Sequence, residues 1–291
     1  MRSLLLLALS LLSLGCAAAP SGPPPLASVP YRSDGKLILV EASVNGAPPA
    51  WLMVDSGASH SVLGTAFAER LGLALTGRGS TTGTGRGAIE IGHVGPVALR
   101  IGGFEARLPD PWVIDLSGVP IAPDTAGLVG SEIFRSHVVR IDPVRRRFEI
   151  FEPDGFSHDP GGATVPLIVE GDKLFLDVTL TVRPGLTVER RVRVDTGSES
   201  SVSDPIVARS ETVRRTVLGQ GLGEDYEAVS GVFPNVTLGP YSFADVWGPG
   251  SAPPAIGMEL LRRFVLTFDA PRGLLHLRPT PALAEPVPAP G

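Results

Sequence analysis

Short apolar segments separated by turn residues run along most of the chain. Residues 37–44 and 51–54 are apolar and rich in β-branched side chains, and Asn-Gly and Pro-Pro pairs lie between them. Apolar runs at 265–268 and 274–277 flank another proline-containing turn. This spacing is typical of many short strands. We therefore predict a mainly β fold.

One short motif occurs twice, each time directly after a predicted strand. It is VDSGAS at 54–59 and VDTGSE at 194–199. Three further features recur around it in the same order: an upstream Val-Pro pair followed by a lysine, a downstream glycine-rich run, and an aliphatic-aliphatic-glycine triplet. They lie at 29–36, 83–87 and 128–130 in one copy, and at 165–173, 219–223 and 255–257 in the other. Single Asp-Ser-Gly or Asp-Thr-Gly triplets are ordinary turns, but this ordered set indicates a duplication of about 120 residues per copy.

Helical signals are few and short. The pattern predicts a helix at 65–72 with Thr65 as its cap, and a second helix in each copy at 131–135 and 258–263. Asp204 followed by a proline predicts a further helix start. Each copy is therefore expected to be mainly β with two small helices.

The length of 291 residues agrees with two units of about 150 residues, and 43% hydrophobic residues supply a core for each. The 35 glycines and 29 prolines suit short strands joined by turns. We place a first lobe at 29–152, a linker at 153–163, a second lobe at 164–278 and a proline-rich tail at 279–291. The net charge of −5 offers no basic face, so nucleic acid is not an expected partner.

The first residues have the pattern of an export signal. Arg2 precedes an apolar stretch at 4–14 that is too short to span a bilayer as a stable helix. Cys16, the only cysteine, follows Gly15 in an arrangement that resembles the lipobox of bacterial lipoproteins, in which the cysteine carries the lipid. Ordinary cleavage after 17–19 and an uncleaved anchor are the alternatives.

This pattern predicts a lipoprotein-type signal peptide at 1–15 and an extended proline-rich tether at 16–28. The expected location is the bacterial cell envelope, where a lipid would anchor the protein to the outer membrane facing the periplasm. The sequence has no second cysteine, so the lobes have no internal disulfide in spite of export. Their stability has to come from packing.

The duplicated motif resembles the aspartic protease family, in which two lobes each contribute an Asp-(Ser/Thr)-Gly loop to one catalytic dyad. The resemblance spans about 29–278 and includes the aliphatic-aliphatic-glycine triplets, which pack beneath the catalytic loops in that family. The lobes are short and look like two retroviral-protease subunits fused in tandem. The resemblance implies a bilobed fold of two retropepsin-like β-barrel lobes, a dyad of Asp55 and Asp195, and a peptide or protein substrate.

Paired carboxylates suit peptide hydrolysis for an electrostatic reason. Two carboxylates about 4 Å apart repel by roughly 4 kcal/mol at an effective dielectric constant near 20, or about three pKa units, so one proton is shared. The ionised acid takes a proton from water while the protonated acid donates to the scissile amide; the sequence does not say which is which. No metal and no cofactor are required, and the five histidines show no metal-ligand spacing.

The resemblance also implies roles for the neighbours of the two acids. The expected loop-supporting residues are Ser56, Gly57, Thr196, Gly197 and Ser198. The hydroxyls of the Ser/Thr pair would cross-link the loops, the glycines would permit close backbone approach, and Ser198 would hydrogen-bond Asp195. Glu199 departs from the pattern of the first copy and is expected to point to solvent; the alternative is a third carboxylate close to the dyad that raises its pKa. The glycine-rich runs are expected to precede hairpins that cover the substrate, with Tyr226 as a minor candidate for a flap residue.

Two alternatives stay open. A catalytically silent two-lobed protein would use the same cleft to hold an extended peptide by strand addition, although such a protein needs neither acid. In the other alternative, each lobe pairs with its equivalent in a second chain. The matched spacings, and a linker long enough for the lobes to fold back, favour pairing within one chain and therefore a monomer.

Overall fold

Strands form most of the part of the chain that the structure, a computed structural model, describes. The described residues are 23–83, 85–158, 160–218 and 222–287. The mainly β prediction is confirmed. The predicted signal peptide and the proposed lipid site at Cys16 lie outside these ranges. No helix within them has the length and apolar character needed to cross a membrane.

The first lobe carries twelve of the described strands and two short α-helices. The strands are β1 (Ala27–Asp34), β2 (Leu37–Val44), β3 (Ala50–Val54), β4 (Val62–Gly64), β5 (Leu75–Thr81), β6 (Ile89–Val94), β7 (Val97–Ile101), β8 (Phe104–Leu108), β9 (Trp112–Ile114), β10 (Thr125–Val129), β11 (Val138–Asp142) and β12 (Arg147–Phe151). The helices are α1 (Thr65–Arg70) and α2 (Ser131–Ser136). The first strand begins two residues before the predicted lobe boundary.

The second lobe carries the remaining eleven described strands, one α-helix and three 3₁₀ helices. The strands are β13 (Ala163–Pro166), β14 (Ile168–Glu170), β15 (Lys173–Arg183), β16 (Leu186–Val194), β17 (Val202–Ser203), β18 (Val213–Leu218), β19 (Tyr226–Leu238), β20 (Tyr241–Pro249), β21 (Ala255–Ile256), β22 (Phe264–Asp269) and β23 (Leu274–Pro279). The helices are α3 (Met258–Leu261) and the 3₁₀ helices Pro205–Arg209, Ala270–Arg272 and Pro281–Ala284.

Six neighbouring strands of one fifteen-stranded sheet join the two lobes. Their order is β13-β23-β22-β11-β12-β1, so each lobe contributes three of the six. The lobes meet where β11 pairs antiparallel with β22, with Arg140 opposite Thr267. Both strands are buried along their whole length, and the ring of Phe134 from α2 packs edge-on against Phe268 at 4.9 Å. Backbone hydrogen bonds and apolar packing therefore fix the lobes against each other.

The strands form where apolar side chains alternate along the chain. In β15 every second side chain is buried, which gives one face to the core and the other to polar surroundings. The buried members of this strand are Leu174, Leu176, Val178, Leu180 and Val182. They belong to a core cluster that includes buried side chains from both lobes.

The chain beyond β23 is held against the second lobe as far as it is described. Arg263 is fully buried and donates to the carbonyl oxygens of Ala282 at 3.2 Å and Pro286 at 3.1 Å. The same guanidinium donates to Glu259 Oε1 at 3.0 Å. The segment predicted as a tail therefore packs against the buried guanidinium group of Arg263.

Two helix predictions need correction. Thr65 is the first residue of α1 and not its cap, because Gly64 takes the N-cap position without a side-chain hydrogen bond. Asp204 caps as predicted, with its carboxylate accepting the Ile206 N–H at 2.8 Å, but the helix that follows is a 3₁₀ helix.

Candidate active site

Two pairs of parallel strands hold the duplicated loops, 55–58 and 195–198, which we call the aspartate loops. Asp55 follows β3, and the parallel neighbour β10 supplies the Val129 carbonyl to the Asp55 N–H at 2.9 Å. Asp195 follows β16, and the parallel strand β21 supplies the Ile256 carbonyl to the Asp195 N–H at 3.0 Å. Both carbonyls belong to the aliphatic-aliphatic-glycine triplets. The triplets therefore lie against the aspartate loops.

The hydroxyl groups of Ser56 and Thr196 cross-link the loops reciprocally. The Ser56 N–H donates to Thr196 Oγ1 at 2.9 Å, and the Thr196 N–H donates to Ser56 Oγ at 3.1 Å. Each hydroxyl in turn donates to a carbonyl of the opposite lobe, Ser56 to Val194 at 2.8 Å and Thr196 to Val54 at 2.9 Å. Both side chains are fully buried, so the network is shielded from competing water.

Glycine is required in each loop because the opposite carboxyl group lies directly against it. A Cβ atom on Gly57 would fall 2.5 Å from Cγ of Asp195, and one on Gly197 would fall 2.4 Å from Cγ of Asp55. Any larger residue would displace a carboxyl group. The duplicated acids therefore face each other across the boundary between the lobes.

Backbone N–H groups and burial set the charge of the first acid. Asp55 Oδ1 accepts from the N–H groups of Gly57 at 2.8 Å and Ala58 at 3.1 Å. Burial, and after it the negative charge of Asp195, raise the pKa of Asp55 to about 7 against the opposing effects of Arg193 and the two N–H groups. Asp55 therefore retains a proton across much of the range in which an exposed aspartate has lost it.

Arg193 is a site residue that the sequence interpretation missed. Its Nη2 donates to Asp195 Oδ2 at 2.6 Å, and the side chain is 18% exposed. The remaining oxygen of Asp195 accepts the Gly197 N–H at 3.1 Å. A signal was present, because residues two apart on a strand share a face, and Arg193 precedes Asp195 by two.

The two lysines of the repeat each reach the opposite lobe. Lys173 Nζ donates to the Gly57 carbonyl at 3.0 Å, and burial together with Arg193 lowers the pKa of Lys173. Lys36 Nζ donates to the Glu199 carbonyl at 3.4 Å. The lysines therefore brace the aspartate loops from both sides.

Two hairpins meet at their tips beside the apolar cluster that contains Met53, since Ile89 and Leu222 pack against that cluster. The hairpins are β5–β6 in the first lobe and β18–β19 in the second. Their tips form a short antiparallel bridge, in which Arg86 and Glu224 exchange two backbone hydrogen bonds of 2.8 Å. The Gly85 N–H adds a bond of 2.9 Å to the Leu222 carbonyl, and the Arg86 guanidinium lies 4.8 Å from the ring centre of Tyr226.

This arrangement corrects the prediction for the glycine-rich runs. They do not precede the hairpins but connect their strands, because small residues are needed where two tips approach closely. A Cβ on Gly85 would fall 2.6 Å from the backbone of Gly223. Thr84 and residues 219–221 of the two runs lie outside the described part of the chain.

Ser198 and Glu199 have partners other than those expected. The Ser198 hydroxyl lies 2.7 Å from the Ser200 hydroxyl, and the Ser198 carbonyl accepts the Met258 N–H at 2.7 Å. The Ser198 hydroxyl thus bonds Ser200 and not the carboxylate of Asp195, whose carbonyl accepts the Ser198 N–H at 3.3 Å. Glu199 is exposed, but its carboxylate accepts the backbone N–H of Lys36 at 2.5 Å, which ties the second loop to the turn between β1 and β2.

Comparisons with known proteins agree with this geometry. Residues 40–133 match a family model described as aspartyl protease. The fold matches the crystal structure of an aspartic proteinase from Irpex lacteus with a TM-score of 0.55 and 14% sequence identity, over 90% of this chain and 99% of that one. The first lobe is therefore similar in sequence to aspartyl proteases, and the chain has the fold of an aspartic proteinase. No curated protein matches it.

The family match covers Asp55 but ends before the second lobe. Asp195 is linked to the family by the internal repeat and by the fold, both of which place it opposite Asp55. Within the described residues, no group of three or more His, Cys, Asp or Glu side chains is arranged to hold a metal ion. Two carboxyl groups, one arginine and the loop amides are the groups that this aspartic protease fold presents for chemistry.

Proposed function

We propose that the protein is an aspartic endopeptidase that hydrolyses peptide bonds with Asp55, Asp195 and a water molecule. One observation carries the proposal: the reciprocal Ser56–Thr196 network places each carboxyl group against the glycine of the opposite loop. A protein that merely binds peptides has no use for two acids held together against their mutual repulsion.

The proposed chemistry uses one proton on the pair. Asp55, whose pKa is raised to about 7, donates its proton to the scissile carbonyl oxygen, while Asp195 as carboxylate accepts a proton from the water that adds to the carbonyl carbon. The C–N bond of the tetrahedral intermediate then breaks as Asp195 passes that proton to the amide nitrogen and Asp55 takes a proton back from a hydroxyl of the intermediate. Both acids thereby return to their starting states, and the carboxylic acid and amine products leave.

The two hairpins that meet at their tips, β5–β6 and β18–β19, suggest the form of the substrate. Because the hairpin tips bridge the two lobes through backbone hydrogen bonds, a substrate has to lie between the tips and the aspartate loops. An extended polypeptide segment fits such a channel, and its backbone can pair with strand edges along the way. The substrate proposed is therefore an unfolded or flexible segment and not a folded surface.

We further propose that the protein is exported and attached to the envelope membrane by a lipid on Cys16. The apolar stretch at 4–14 and the lipobox-like position of the cysteine support this proposal. Cys16→Ser is expected to move the protein from the membrane fraction to the soluble envelope fraction. An unchanged distribution would contradict the lipid anchor without bearing on catalysis.

The test of catalysis uses matched asparagine variants. Asp55→Asn and Asp195→Asn should each abolish cleavage of unfolded protein or of a quenched-fluorescence peptide library, while the circular dichroism spectrum stays unchanged. Asp154→Asn, at an exposed aspartate of the linker, is the control and should keep full activity. Retained cleavage in either dyad variant would refute the assignment. Peptide binding without cleavage by the unmodified protein would instead favour the silent binding protein.

A further inference from the structure

The two lobes differ at the residue that lies two positions before each aspartate. Strand geometry puts this side chain on the same face as the acid, beside its carboxyl group. In the first lobe it is Met53, which is 7% exposed and packs in an apolar cluster that includes Leu37 and Leu128. In the second lobe it is Arg193. The duplication therefore placed an apolar side chain beside one acid and a cation beside the other.

We propose that Arg193 is a positioning residue that makes the two aspartates unequal, by holding Asp195 as the charged member of the pair and leaving the shared proton on Asp55. The inference rests on the proposed function, because it assigns the base and the acid of that reaction. It goes beyond the function in naming the residue that decides between them.

The hydrogen bonds of the two acids support this division. Both oxygens of Asp195 accept from fixed donors, Oδ1 from the Gly197 N–H at 3.1 Å and Oδ2 from Arg193 at 2.6 Å. Hydrogen bonds to both oxygens stabilise the charged form of a carboxyl group, and a guanidinium bonds a charged acceptor more strongly than a neutral one. Asp55 takes both of its N–H bonds on Oδ1, and in the described part of the chain no hydrogen bond is assigned to Oδ2. That oxygen is free to carry the proton.

The position of Arg193 is fixed by its surroundings. The backbone N–H of Arg193 donates to the Pro254 carbonyl at 2.9 Å, and Arg193 lies opposite Ala255 of β21 and Phe175 of β15 in the sheet. The Nε atom is buried without a hydrogen-bond partner in the described structure. With the side chain largely buried, the ion pair to Asp195 is the contact that satisfies its charge.

The other charged groups around the pair do not cancel this effect. Lys173 approaches from β15 on the Asp55 side, but its ammonium group is bonded to the Gly57 carbonyl and not to a carboxylate, with Asp172 next to it in sequence. Glu199 is bound to the backbone of Lys36. At the flap tips, Arg86 and Glu224 face each other. Arg193 is thus the cation in direct contact with a carboxyl group of the pair.

The experiment replaces Arg193 with the residue that the first lobe uses in the same place. In Arg193→Met, loss of the cation favours protonation of the pair, so the acidic and basic limits of the pH profile of kcat/KM should both move upward, by about 1–2 pH units. Arg193→Lys should restore at least half of that shift. Arg191→Met, the same change two residues earlier on the same face of β16, is the control and should leave the profile in place.

A second readout does not depend on catalysis. With ¹³C-labelled aspartate, the carboxyl carbons of Asp55 and Asp195 report protonation directly in the full-length protein, whether or not it cleaves peptides. We expect the shared proton to reside on Asp55 in the unmodified protein, and in Arg193→Met we expect it to be divided more evenly. If Arg193→Met fails to fold, Arg193→Gln serves the same purpose.

Two outcomes would overturn the inference. One is a titration in Arg193→Met or Arg193→Gln that superimposes on the Arg191→Met control. The other is a shift that Arg193→Lys does not reverse, since this would assign the effect to shape and not to charge. Failure of the proposed function looks different, because no variant would then cleave peptides while the carboxyl titration would still decide the role of Arg193.

Discussion

Thr196→Val deletes one of the two hydroxyl groups that join the aspartate loops and keeps the shape of the side chain. Thr196 Oγ1 makes two buried hydrogen bonds: it accepts the Ser56 N–H at 2.9 Å and donates to the Val54 carbonyl at 2.9 Å. Valine can make neither bond. The Ser56 N–H then has no acceptor in a site from which water is excluded.

The size of the effect follows from these two bonds. A buried hydrogen bond contributes about 1 kcal/mol net, and a buried donor left unpaired costs about 1–3 kcal/mol. We therefore expect the free energy of unfolding to fall by about 2–4 kcal/mol. For a chain of this size, that corresponds to a decrease in Tm of about 4–16 °C.

The assay is urea unfolding followed by the fluorescence of the three tryptophans. Thr187→Val, at an exposed position of β16, is the matched control and should change stability by less than about 0.5 kcal/mol. Under the proposed function, Thr196→Val should cleave peptides about 10–100-fold more slowly, because a small displacement of the carboxyl groups misaligns them with the substrate.

The double variant tests whether the two hydroxyls act together. Ser56→Ala removes the symmetric pair of bonds, and either substitution alone should let the loops separate. The double variant should then lose less stability than the sum of the losses in the two single variants. A Thr196→Val protein with the stability of the Thr187→Val control would refute the assigned energetics, and strictly additive effects would refute the coupling.

Three further predictions concern stability. Since the pKa of Asp55 is raised to about 7 in the folded state from an ordinary value of 3.8, its stabilising contribution is complete below about pH 4 and is lost as the pH rises through 7. Asp55→Asn should therefore raise the free energy of unfolding at pH 8 by up to about 4 kcal/mol, with a corresponding rise in Tm, and should have little effect at pH 4. Equal changes in stability at the two pH values would contradict this expectation. Arg263→Met should cost about 3–5 kcal/mol in urea unfolding because it weakens the pairing of buried Glu259 and frees the C-terminal segment, and limited proteolysis should then remove that segment first. Glu199→Gln should cost less than about 1.5 kcal/mol, since the amide oxygen still accepts the N–H of Lys36; a larger loss would assign the contact mainly to charge.

Local patterns predicted the strands and the loops but not what joins them. Apolar runs at 37–44 and 265–268 stand out between turn residues, and the strands lie there with small shifts at their ends. The pairing of β11 with β22 connects residues about 130 positions apart, and nothing in either strand alone specifies its partner. The run of six strands that joins the lobes follows from the tertiary fold.

In the candidate site, too, some residues could be predicted from local patterns and others are brought in only by the fold. The repeat pointed to Asp55, Asp195 and the loop residues, because duplicated spacing is visible in a sequence. Arg193 was not predicted because it lies just outside the duplicated motif, although strand alternation puts the residue two before the acid on the same face. The partner of Glu199 was beyond prediction, since the turn that contacts it lies 163 residues away.

Fusion of the two lobes in one chain has a chemical consequence that a pair of identical subunits cannot reproduce. Two copies of one sequence place the same side chain beside each acid, so in the resting pair neither acid is preferred as the proton carrier. In this chain the features that require twofold symmetry are kept in both lobes: the glycines, the hydroxyl network and the parallel strands beneath the loops. The position beside the acid has diverged, with Met53 in an apolar cluster and Arg193 in an ion pair. The proposed hydrolysis uses one acid and one base, and a duplicated gene can encode that difference directly. The asymmetry lies where it acts on the proton without disturbing the loops that bring the carboxyl groups together.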